Sequence, residues 1–261
     1  MGAIQTIGAV WRGLFAETWR QTDERYLPQG RKYRRHIVPV GVTAALALTV
    51  HEYFGFEQTF KQLTWLRLGG EYAGFSYYAY WSAFNILALV LIPLIYIKFF
   101  TPFTLKEIGL GFSFKARHWG WYLGLYLAVL PPVAAASFLP SFIKTYPACD
   151  EALRSIKHFA IWELIYAAQF FAVEFFYRGF MVHALKYSLG AAAVTVMVVP
   201  YCMFHFGKPL PECLGSIVAG LVLGSLSLKI GNIWGGVALH SAVAMSMDIL
   251  ALIQRKFQVL S

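Results

Sequence analysis

Glu174 and Arg178 stand four residues apart inside an apolar, aromatic run, QFFAVEFFYRGFMVHAL over 169–185. On a helix that spacing lets the two side chains meet and partly neutralise each other, which is already sufficient reason for a structural pair. His205 and His240 follow in apolar surroundings of their own. A carboxylate with two imidazoles suits the activation of a water molecule: Glu accepts the proton, one His shares or positions it, and the other stabilises the oxyanion. The same three side chains could instead hold zinc. A lone histidine in an apolar helix is more often a packed core residue, so it is the combination of two histidines with a carboxylate at similar depth that points to a site.

The elements that must position these groups are membrane helices. Of the 261 residues, 58% are hydrophobic and only 13% charged, against about one quarter charged in soluble domains. This composition implies an all-α, polytopic transmembrane bundle. Apolar runs at 36–55, 77–100, 119–139, 159–187, 190–206, 213–230 and 233–253 predict about seven spans. Pro131 and Pro132 could split the third of them. The formal charge of +9 does not call for nucleic acid, because the basic residues cluster beside spans: Arg25, Arg31, Lys32, Arg34 and Arg35 before the first, Lys98, Lys106, Lys115 and Arg117 after the second. That is the positive-inside pattern, with a cytoplasmic N-terminus, cytoplasmic Lys186 and Lys229, and, for seven spans, a C-terminus outside. A bacterial cytoplasmic membrane is the expected location and the lipid bilayer an obligatory partner.

Residues 1–35 form an amphipathic and basic cytoplasmic segment, and 36–261 one membrane-embedded domain. Within the first, Ile4, Ile7, Val10, Trp11, Leu14, Phe15 and Trp19 recur at helical spacing. They predict an interfacial helix lying on the leaflet, or equally one packed on the protein's own cytoplasmic face. More than thirty residues precede the first apolar run, unlike the short n-region of a cleaved signal. Cys149, Cys202 and Cys213 show no CxxC spacing and suggest neither a disulfide framework nor a zinc knuckle.

At 1.5 Å per residue, Glu174 lies about 18 Å from the cytoplasmic end of an inward fourth span, His205 about 22 Å into an outward fifth, and His240 about 11 Å into an outward seventh. Groups from three helices can thus converge near the midplane, where ionisable residues are functional candidates. Other intramembrane hydrolases fit less well. HEYFG at 51 has Gly55 where HExxH needs its second His, Asp248 has no aspartate partner, and GSLS at 224 is not a rhomboid serine motif. Glu163 reads as a residue at headgroup level, Tyr177 as a packed aromatic able to donate a hydrogen bond, and Lys208 and Glu212 as parts of an ordinary turn.

These residues resemble the CPBP, or Abi, family of intramembrane proteases, whose pattern is EExxxR, then FxxxH, then HxxxN or HxxxD. VEFFYRG over 173–179 matches the second Glu and the Arg, YCMFH over 201–205 matches the second motif with Tyr for Phe, and HSAVA over 240–244 matches the His of the third. The family's first Glu is Val173 here, and its Asn or Asp is Ala244. The resemblance implies an endopeptidase acting on a membrane-associated protein or peptide, with Glu174, His205, His240 and Arg178 as site residues and no required cofactor. Zinc at Glu174, His205 and His240 is the lesser alternative. Two other readings stay open: a non-catalytic scaffold or immunity-type protein, and a transporter-like bundle with a polar path.

Overall fold

The computed structural model describes residues 8–9, 11–112 and 115–260, and every regular element among them is helical. The main helices are α1 (Glu17–Tyr26), α2 (Ile37–Phe54), α3 (Phe75–Phe100), α4 (Ala116–Ala136), α5 (Ile156–Leu189), α6 (Ala192–Met203), α7 (Leu210–Ile230) and α8 (Trp234–Leu260). Six stretches are long and apolar enough to cross a membrane: Arg12–Phe54, which contains α2, then α3, His118–Ala136 of α4, α5, α7, and Trp234–Lys256 of α8. α4 runs through Pro131 and Pro132 without ending.

The run expected as a fifth span, 190–206, differs. It forms α6, of 12 residues, whose length of about 18 Å falls short of a hydrocarbon core about 30 Å thick. Were these six stretches the crossings, both termini would lie on one side, and with the N-terminus in the cytoplasm, as the basic flank predicts, a reporter fused at Ser261 would read cytoplasmic. A reading from outside would mean that a seventh segment crosses.

Two compact units divide the chain. The first comprises Met1–Leu46, Pro93–Ser113 and Glu174–Trp234. Within it α6 lies against α7, and the close approach comes from glycines four apart, a packing device of membrane helices. A Cβ on Gly224 would come within 2.8 Å of Val194, and one on Gly220 within 3.1 Å of the Tyr201 ring. The N-terminal segment docks on the same unit. Leu14 is buried, Trp19 Nε1 donates to Ser225 Oγ at 2.8 Å, and Lys229 Nζ donates to the Gly13 carbonyl at 2.6 Å. Residues 11–26 thus pack on the protein's own surface, with Trp11 left exposed. Ile4, Ile7 and Val10 lie outside the described residues.

Between α5 and α6 the chain turns at Gly190, with φ +57° and ψ −136°, a conformation that costs other residues about 1–3 kcal/mol. The turn presents the Ala191 amide to Asp23, whose Oδ1 accepts it at 2.7 Å. That carboxylate lies 2.0 Å from where a Gly190 Cβ would sit. Gly190→Ala should therefore lower the melting temperature of the solubilised protein by several degrees, and an unchanged melting curve would show that this turn relaxes freely.

Lys186, placed on the cytoplasmic side by the positive-inside pattern, has a buried side chain. The ammonium donates to the Glu107 carbonyl at 3.1 Å and to His183 Nδ1 at 2.7 Å, and lies over the rings of Tyr26 and Tyr187. A cation removed from water needs such acceptors and ring faces to offset its lost hydration.

The second unit comprises Ala47–Ile92, Phe114–Val173 and Gly235–Ser261. Its core gathers Phe75, Cys149, Ala152, Trp162, Tyr166, Phe170 and Ala244. Gly235 is required where α8 meets α4, since a Cβ there would fall 1.9 Å from the Tyr122 ring.

Candidate active site

Glu174 ends the regular α-helical part of α5, and the next eight residues, Phe175–Val182, wind as a π-helix. π-turns within α-helices offset the register of everything that follows and recur at functional sites. Nothing in the residue pattern signals this winding. Gly179 lies inside it and packs tightly: a Cβ there would meet the Ile108 carbonyl oxygen at 3.0 Å and the Phe175 ring at 3.2 Å.

Both charges on this segment are fully buried. Arg178 Nη1 lies 3.1 Å from Glu174 Oε1, and the guanidinium carbon lies 3.9 Å from the centre of the Tyr201 ring. A cation held by a carboxylate and an aromatic face in the same place is doubly compensated for leaving water. Tyr177 packs edge-on to Tyr201 and donates to the Pro200 carbonyl at 3.3 Å, so it combines the packing and donor roles expected of it.

His205 is not on a helix. α6 ends at Met203, and residues 204–207 form a turn that contains Gly207 at φ +88° and precedes Pro209. In this turn the His205 amide bonds to the Cys202 carbonyl rather than that of Tyr201. The Tyr201 carbonyl, one of the orphan acceptors at a helix end, is 2.8 Å from His205 Nδ1. The imidazole is partly exposed and stands edge-on to the Tyr201 ring at 4.7 Å. Glu174, Arg178 and His205 are thus linked through Tyr201. Lys208 and Glu212, in and just after the turn, approach to 4.0 Å.

His240 lies on α8 in the second unit, partly buried, with its ring 4.4 Å from that of Phe170. One further group in that unit departs from expectation. Glu163 is buried rather than set among headgroups. It faces Asp248, a buried carboxylate that also accepts from Trp162 Nε1 at 2.5 Å. No spacing signal could have revealed this acidic pair, since its members lie 85 positions apart.

Among the described residues, no three His, Cys, Asp or Glu side chains are grouped so as to hold a metal ion. The Glu174 carboxylate faces a guanidinium instead. The donor set therefore does not fit zinc.

A bundle of apolar helices with a fully buried Glu–Arg pair defines an integral membrane protein with a polar centre in its core. Residues 156–246 match the family model for type II CAAX prenyl endopeptidase Rce1-like proteins, so this stretch is similar to the CPBP family. The match contains Glu174, Arg178, Tyr201, His205 and His240, and it points to CAAX-protease-type activity at the membrane. No curated protein and no solved structure matches the chain.

Proposed function

We propose that this protein is an intramembrane endopeptidase that hydrolyses a peptide bond of a membrane-associated protein or peptide. The observation that carries this reading is the fully buried Glu174–Arg178 pair, linked through Tyr201 to His205 inside the family-matched segment. Glu174 takes the proton of the attacking water, and Arg178 holds the carboxylate charged and oriented. His205, whose Nδ1 meets the Tyr201 carbonyl, shares that proton. His240 stabilises the oxyanion that forms on the scissile carbonyl. The hydrocarbon around the site keeps bulk water away and strengthens each of these interactions.

Ala244 favours a second reading, that of a non-catalytic scaffold. It stands where the family places Asn or Asp, and it is a core residue packed with Trp162, Tyr166 and Phe170. The two readings separate when membrane-protein N-termini are compared in cells with and without this protein. A peptidase creates new termini that disappear with the gene, whereas identical terminal profiles would leave the scaffold.

A further inference from the structure

Cys202 and Cys213 are eleven positions apart, and the fold of the first unit brings their sulfurs to 4.0 Å. The meeting is a rung of the α6–α7 pairing. Gly224 approaches Val194, and Gly220 approaches Val198 and Tyr201, so residue numbers rise on one helix as they fall on the other. Cys213 beside Cys202 continues this antiparallel order to the end of α6, where the helix gives way to the turn that carries His205. Both cysteines are partly exposed, whereas Cys149 is buried in the core of the second unit. We propose that Cys202 and Cys213 are a modification site: they form a reversible disulfide that staples α6 to α7 and closes both ends of the His205 turn.

Bonded sulfurs lie about 2.05 Å apart, so these two must close by about 2 Å, which rotation of one side chain about its Cα–Cβ bond supplies. Oxidation gives up little in exchange. The Cys202 thiol lies 3.9 Å from the Cys213 carbonyl, a weak contact, and that oxygen already accepts from Ser216 Oγ at 2.7 Å. The oxidant is a low-molecular-weight disulfide. One cysteine, as thiolate, attacks a sulfur of that disulfide and expels half of it as a thiol, leaving a mixed disulfide on the protein. The second cysteine then attacks the protein sulfur and expels the other half. Two protein thiols are oxidised, one small disulfide is reduced to two thiols, and the two protons pass to the leaving groups. The N-terminal segment docks at the other end of the α6–α7 pair, where Asp23 meets Ala191 and Trp19 meets Ser225. With that segment in the cytoplasm, as the basic flank predicts, the cysteines lie at the end turned away from the reducing compartment.

The test is a thiol count on full-length protein solubilised in detergent and incubated with oxidised glutathione, then denatured, alkylated with N-ethylmaleimide and weighed by mass spectrometry. Wild type has three cysteines and should fall from three labels to one, on Cys149, with a peptide joining residue 202 to residue 213 within one chain. A reductant should restore all three. Cys202→Ser and Cys213→Ser each lack the second thiol and should stop at the mixed disulfide, with glutathione held on the remaining cysteine. The closed ring restricts the unfolded chain, so oxidation should raise the melting temperature of wild type by several degrees and leave both serine variants unmoved. Three labels on wild type after oxidation would overturn the proposal, as would glutathione retained on it, a link through Cys149 or between chains, or a linked protein that melts no higher. None of these readouts needs a substrate, so the staple stands or falls apart from the peptidase reading.

Discussion

Glu174→Gln removes cleavage while leaving the amount of protein in the membrane nearly unchanged. The amide has the shape of the carboxylate and can still accept a hydrogen bond from Arg178, but it cannot take a proton from water at neutral pH. General-base catalysis typically contributes about 10²–10⁴-fold, so the loss should lie in that range or beyond. The check is a comparison of new N-termini in cells carrying either form, normalised to the membrane-bound protein. Wild-type cleavage by Glu174→Gln would mean that the proton goes elsewhere, with the acidic pair Glu163 and Asp248 the next carboxylates to change.

Arg178→Ala has the opposite signature, because it damages the fold before the chemistry. It leaves Glu174 fully buried with its ion-pair partner gone and strips the Tyr201 face of its cation. Breaking a buried pair from one side typically costs about 3–5 kcal/mol, a large part of the stability of most domains. The protein should therefore fall sharply in the membrane fraction. Removing both charges relieves the penalty, since well-packed apolar replacements of a buried pair are often neutral. The double variant Glu174→Gln with Arg178→Met should recover most of the protein and none of the cleavage. Full accumulation of Arg178→Ala alone would show that water or another cation reaches Glu174 on its removal.

Much of this arrangement could be read from the residues, and its gaps have physical causes. The Glu174–Arg178 contact follows from a four-residue interval, which brings side chains together on a helix. It survives although the segment from Phe175 winds as a π-helix. The turn after α6 was signalled by Gly207 and Pro209. What the sequence could not show is that α6 has only 12 residues and that His205 belongs to the turn, because apolar composition does not reveal where a helix unwinds. Tyr201 stood out only as a departure from the family's Phe, since the group that meets His205 is its backbone carbonyl, which every residue type possesses. Glu163 was expected at headgroup level and Lys186 on the cytoplasmic side. Both are buried because tertiary partners compensate them, Lys186 with the Glu107 carbonyl and His183, Glu163 facing Asp248.

The most direct measurement of the central claim uses purified wild-type and Glu174→Gln protein in lipid vesicles, with a broad panel of membrane-embedded peptides in water enriched in oxygen-18. A peptidase that activates water at Glu174 gives, in wild type alone, peptide fragments whose new C-terminal carboxyl carries one heavy oxygen. Labelled fragments formed at equal rates by Glu174→Gln, or no fragments from wild type across the panel, would contradict it.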